Sequence, residues 1–257
     1  FFKYMVKYNF KICNEVERMN IHIFDNAEQI GTAIANLIVK QVNEKPDSVL
    51  GFATGASPIP TYKSLIKAYN EGKVSFKDIT TFNLDEYCEL PVEDKNSYFT
   101  FMHENLFNHI DVKEENVNFL NGNAENAEVE CQRYDNLLNE KKIDIQLLGV
   151  GRNGHIGFNE PANKFTKGSF KVRLTQSTID ANSIYFDENP MPHYALTMGT
   201  VSIMNSKQII LIATGKSKSD AIHGLVNGDI SPSCPASVLQ LHPNVHIFMD
   251  KDAASRL

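Results

Sequence analysis

Short apolar runs alternate along the chain with longer stretches in which apolar residues recur at helical spacing, and this alternation carries most of the structural information. Residues 49–53, 79–87, 143–150 and 208–213 are dominated by aliphatic, β-branched and aromatic side chains. Runs of that length and composition predict strands buried on both faces. Between them, Ile30, Ala33, Ile34, Leu37 and Ile38 trace one helical stripe, with Asp25 or Asn26 as its N-cap. Residues 59–70, 97–107 and 124–139 follow the same rule. Pro58 falls near the first turn of the second helix, where a missing N–H is harmless, and Ser57 is its candidate cap. Strands alternating with amphipathic helices predict a three-layer, Rossmann-like α/β fold: a mainly parallel sheet with helices on both faces.

Length and composition place limits on that picture. A chain of 257 residues with 42% hydrophobic content can bury one large core and is short for two independent domains. No repeat, low-complexity tract or Pro/Gly/Ser-rich linker divides it, so residues 19–257 are expected to form one domain. Residues 1–18 precede Met19 and have neither the apolar centre nor the cleavage site of a signal peptide; they read as an extension from an upstream start. A net charge of −6 and a pI near 5.8, without a basic stripe, argue against nucleic-acid or anionic-membrane partners. Cys13, Cys88, Cys131 and Cys234 show neither CxxC nor zinc spacing and read as reduced thiols of a cytoplasmic protein. No apolar run reaches the roughly 18 residues that a membrane span requires.

Three segments at strand ends carry the candidate chemistry. The run 49–53 empties into Thr54-Gly55-Ala56-Ser57-Pro58 at the start of a helix, which presents backbone N–H groups and a positive dipole end to an anion such as phosphate. Its spacing is neither that of a P-loop nor that of a dinucleotide fingerprint. The run 79–87 ends in Asp85-Glu86, and a carboxylate shielded from water at the mouth of a sheet can act as a carbon-acid base. The run 143–150 opens into Gly151-Arg152-Asn153-Gly154-His155-Ile156-Gly157-Phe158-Asn159-Glu160-Pro161. A solvated surface histidine is the commoner use of such a loop. The spacing of His155 and Glu160 across Gly157 lets the chain fold back, so that the carboxylate orients the imidazole for acid/base work.

Together these motifs resemble the glucosamine-6-phosphate deaminase (isomerase) family. The likeness runs from about Met19 onward and includes residues 53–58, 82–87, 96–98, 121–124, 154–161, 195–199 and 239–242. It implies conversion of glucosamine 6-phosphate and water into fructose 6-phosphate and ammonia in amino-sugar catabolism, with neither metal nor organic cofactor. It implies Asp85 as the proton acceptor at C2, His155 as the group that opens the pyranose ring, and Glu160 and Asn153 as its assistants. Thr54, Gly55, Ala56, Ser57, Glu86, Gly154 and Lys218 fall at substrate- or phosphate-binding positions, Lys218 as a phosphate cation. Three residues depart from the family pattern: Asn153 where many members have Asp, Ile184 where an Arg usually contacts the phosphate, and Ser169-Phe170 in place of a Thr-Arg pair near an activator site. Losing the guanidinium fork weakens phosphate binding by about 1 kcal/mol or more unless Lys216 or Arg152 compensates. The expected partner is the phosphorylated amino sugar alone, in a monomer or homo-oligomer without allosteric activation by N-acetylglucosamine 6-phosphate. Two alternatives share the fold: a 6-phosphogluconolactonase, which has no use for an enolising carboxylate, and a sugar-phosphate sensor, which would carry a DNA-binding helix pair.

Overall fold

The computed structural model describes residues 19–183, 186 and 191–257. The expectations for residues 1–18 and for Ile184 lie outside them. In chain order the elements are β1 (Met19–Phe24), α1 (Ala27–Glu44), β2 (Val49–Phe52), α2 (Ile59–Asn70), β3 (Thr80–Asn83), β4 (Asp85–Tyr87), α3 (Tyr98–Asn105), β5 (Val117–Asn118), α4 (Ala127–Glu140) and β6 (Ile145–Gly149). They continue with β7 (Phe170–Arg173), α5 (Gln176–Asn182), β8 (Tyr194–Thr197), α6 (Thr200–Met204), β9 (Gln208–Ala213), α7 (Ser219–Asn227) and β10 (Val245–Asp250).

Seven strands form one sheet in the order β1-β10-β9-β6-β2-β3-β5, and every neighbouring pair in it is parallel. Burial on both faces follows from the side-chain alternation of a strand. In β9, Ile209, Leu211 and Ala213 enter one apolar cluster, with Phe82, Tyr134 and Leu148, while Ile210 and Ile212 enter the other, with Ile34, Leu50 and Tyr62. Helix α1 lays Ile30, Ile34 and Ile38 on the second cluster, with Ala33 and Leu37 at its margin. Its cap is Asn26, whose side chain accepts from the Gln29 N–H at 2.9 Å. Gly31 lets α1 approach α2 closely, since a β-carbon there would run into the backbone of Pro60.

Two expectations need correction. The run 79–87 is two strands, and the break falls at Leu84: its N–H donates to Phe52 O at 3.2 Å in the large sheet, while its carbonyl accepts from Met198 N at 2.8 Å. Beyond it, β4 joins a separate three-stranded antiparallel sheet, β4-β8-β7. Composition gives no warning because both halves are buried throughout. Ser57 does not cap α2; the cap position is Pro58, without a side-chain hydrogen bond.

The connectivity defines one special place. From β2 the chain steps outward to β3 and β5, then returns to β6 on the other side of β2 and proceeds through β9 to β10. The winding direction therefore reverses between β2 and β6. At such a switch point the loops diverge from the carboxyl ends of adjacent strands and leave a crevice for ligands.

Candidate active site

Four adjacent strands, in the order β9-β6-β2-β3, deliver residues 214–218, 150–160, 53–58 and 84–87 to the same carboxyl edge. The segment after β2 turns through Gly55 at φ 97°, a conformation open to glycine. The Tyr62 hydroxyl, from the first turns of α2, donates to Ala53 O and ties the loop to its helix. The N–H groups of Gly55, Ala56 and Ser57 find no protein acceptor among the described residues. They are therefore free to donate to an anion at the start of α2.

Asp85 and Glu86 point to different surroundings because they are neighbours on a strand. Glu86 reaches the first turn of α3, where its Oε1 accepts from Tyr87 N and Tyr98 N at 2.9 Å each and its Oε2 accepts from Phe99 N at 2.8 Å. Burial raises its carboxyl to about 7 against the pull of those donors. Asp85 has no such donors. Burial, followed by the charge of Glu86, pushes its carboxyl from 3.8 to about 8. Glu86 is thus the member of the pair that ionises first, and Asp85 is the one whose proton is exchangeable near neutral pH. A β-carbon on Gly157 would lie 3.4 Å from Asp85 Oδ2 and 3.0 Å from Thr197 Oγ1. The Asp85 carboxylate therefore borders the loop that carries His155.

That loop is closed by its own backbone: Gly151 N donates to His155 O at 2.8 Å and Gly154 N to Gly151 O at 3.0 Å. Gly154 takes φ 82° and Gly157 φ 54°. The imidazole of His155 lies over Gly151, where any β-carbon would overlap the ring. Asn153 accepts the His155 N–H at 3.2 Å and donates from Nδ2 to Glu160 Oε2 at 2.7 Å. The other Glu160 oxygen accepts from the Thr178 hydroxyl at 2.7 Å and lies 3.4 Å from His155 Nδ1. The latter contact lacks the alignment of a hydrogen bond, so Nδ1 has no hydrogen-bond partner among the described residues. Burial is the largest influence on Glu160 and works to raise its carboxyl. His155, Thr178 and Asn153 together outweigh it and hold the group at about 2. Glu160 is a carboxylate at any physiological pH.

Aromatic packing joins the three segments. Tyr98 stacks on Phe158 with ring centroids 6.1 Å apart, contacts the Tyr87 ring at 4.7 Å, and is hydrogen-bonded by the Thr54 side chain. Lys218, from the turn before α7, donates to Val150 O at 2.7 Å, and burial followed by the neighbouring charge of Arg152 lowers its ammonium. Neither the contact of Thr178 with Glu160 nor that of Tyr98 with Thr54 is visible in the sequence, although Tyr98 lies in the 96–98 stretch of the family likeness. Thr178 is separated from Glu160 by 18 residues and Tyr98 is remote from Thr54, so no local spacing marks either. Among the described residues, no group of three or more His, Cys, Asp and Glu side chains is arranged to hold a metal ion.

A family model described as glucosamine-6-phosphate isomerases/6-phosphogluconolactonase matches residues 25–247. The chain belongs to this family. Within the family, a glucosamine-6-phosphate deaminase from Clostridium botulinum is 47% identical over 241 residues, covering 93% of this chain and 99% of its own length. The solved structure of a monomeric glucosamine-6-phosphate deaminase superposes with a TM-score of 0.89 at 43% identity, over 92% of this chain and 99% of that one. A 6-phosphogluconolactonase from Thermotoga maritima superposes at 0.72 with 19% identity, over 91% and 100% of the two chains, a likeness of fold alone. The family's two named activities therefore stand at very different distances from this chain.

Proposed function

We propose that the protein is a glucosamine-6-phosphate deaminase, which isomerises the amino sugar and releases its nitrogen as ammonia, leaving fructose 6-phosphate. The observation that carries this reading is the position of the Asp85 carboxylate against Gly157, inside the loop of His155 and on the same sheet edge as the unpaired N–H groups of residues 55–57. Lactone hydrolysis would leave that buried carboxylate without a task. The high identity to relatives bearing the deaminase name supports the same choice.

The geometry translates into steps. The phosphate is anchored by the N–H groups after β2 and by Lys218, with Glu86 and Gly154 shaping the walls of the crevice. His155 exchanges a proton with the ring oxygen and the C1 hydroxyl to open the pyranose, and the ionised Glu160, itself held by Asn153 and Thr178, stabilises the imidazolium that forms. Asp85, once ionised, removes the C2 proton while the C1 carbonyl oxygen takes up a proton, giving the enolamine, and then returns the proton to C1 as the nitrogen lone pair closes the C=N bond of the ketimine. Water adds to the ketimine carbon, and the C–N bond breaks with release of ammonia. No hydride is transferred, so the sequence of steps needs no redox cofactor.

Ser169 spends its N–H and its hydroxyl on Asp135, at 2.9 and 2.7 Å, and Phe170 begins β7 with no cationic group to offer an activator phosphate. The saturation curve is therefore expected to stay unshifted by N-acetylglucosamine 6-phosphate; a clear leftward shift would contradict this. The function itself is tested by incubating the protein with glucosamine 6-phosphate and following ammonia and fructose 6-phosphate. Equal amounts of the two are expected, and accumulation of neither would refute the proposal.

A further inference from the structure

Two cations stand at the carboxyl end of β6, and among the described residues no carboxylate pairs with either. The Lys218 ammonium is seated on the carbonyl of Val150 at 2.7 Å, and Arg152 leaves the backbone two residues further on, with an exposed side chain. The acid near this turn, Asp250, accepts instead from Gly215 N and Ala253 N, both at 2.8 Å. The charge of Arg152 acts on Lys218 and, after burial, lowers its ammonium; an anion beside both cations would offset that repulsion. The neighbouring segment after β2 offers the unpaired N–H groups of residues 55–57 on the same edge.

We infer that Arg152 is a second phosphate-binding cation of this site, closing with Lys218 on the dianionic group that the residue 55–57 amides hold from the other side. The inference rests on the deaminase reading of the crevice and adds a ligand to it. Two cations match a phosphate dianion better than a single carboxylate, and a guanidinium fork contacts two phosphate oxygens at once. Arg152 is exposed and forms no hydrogen bond or ion pair among the described residues, so its removal is expected to leave the fold intact.

The test compares the unaltered chain with Arg152→Ala and Arg152→Lys, both in ammonia release at graded glucosamine 6-phosphate and in direct titration with inorganic phosphate. Arg152→Ala should raise KM and the dissociation constant for inorganic phosphate together, each by about tenfold, the order of one charge-assisted contact, and lower kcat by a smaller factor. Arg152→Lys should recover part of the loss. Unchanged KM and phosphate affinity in Arg152→Ala would overturn the inference. So would a fall in kcat with KM and phosphate affinity retained, because that pattern would make Arg152 a prop for the His155 loop. If the unaltered chain released no ammonia, the deaminase reading would fail on its own, and the phosphate titration would still decide the role of Arg152.

Discussion

Asp85 has an environment at odds with its ordinary chemistry. A carboxyl pushed to about 8 is mostly protonated at neutral pH, yet the proposed role requires the ionised form. The value of kcat/KM should therefore climb as pH rises toward about 8 and then level off, which a pH profile of initial rates measures directly. The same shift has a consequence for stability. Between the unfolded value of 3.8 and the folded value of about 8, the folded chain holds a proton that the unfolded chain has released, so stability falls as pH rises through that window. Asp85→Asn keeps the shape and removes the titration. Its melting temperature near pH 8 should accordingly exceed that of the unaltered chain, by about 2–4 °C for each ~1 kcal/mol relieved in a domain of this size. Equal melting curves across pH 5 to 8 would show that Asp85 carries no such burden. His155 makes a complementary prediction: His155→Gln should slow turnover of the cyclic sugar far more than that of a ring-opened analogue, because only the former needs its proton exchanged at the ring oxygen.

At the level of elements, the site depends on a short strand that the sequence disguises. The apolar runs 49–53, 143–150 and 208–213 and the helix 59–70 are found within a residue or two of their expected bounds, because each is punctuated by turn residues and has one dominant period. The run 79–87 carries no such punctuation. What divides it is a through-space competition: Leu84 is bonded by Phe52 on one side and Met198 on the other, and Met198 is far away in sequence. Likewise, the three loop motifs could be read as chemistry from spacing alone, whereas Thr178 beside Glu160 and Tyr98 beside Thr54 follow only from the way α5 and α3 pack. The dependence on β4 can be tested at Gly122, whose β-carbon would run into the Tyr87 carbonyl and the Cys88 backbone. Backbone cannot yield as a flexible side chain can, so Gly122→Ala should cost about 1–3 kcal/mol in urea denaturation and lower turnover by displacing the strand that holds Asp85. An alanine variant of full stability and activity would mean that β4 tolerates movement.

On the scale of the molecule, the parallel sheet gathers the chemistry by its winding. Residues more than a hundred positions apart, in the loops after β2, β3, β6 and β9, meet because those strands are neighbours and all end on one edge. The second sheet, β4-β8-β7, then fastens the edge from outside: Thr197, opposite Asp85 in the β4/β8 register, accepts the Phe158 N–H at 3.1 Å and so locks the His155 loop against the aspartate strand. The central claim is that this one crevice holds a carboxylate able to move the C2 proton of a phosphorylated amino sugar. It is tested most directly by assaying ammonia and fructose 6-phosphate formation from glucosamine 6-phosphate in parallel for the unaltered chain and Asp85→Asn. The account predicts matched release of both products by the former and a loss of at least about 10²-fold in the latter with the fold retained; near-normal turnover by Asp85→Asn would contradict it.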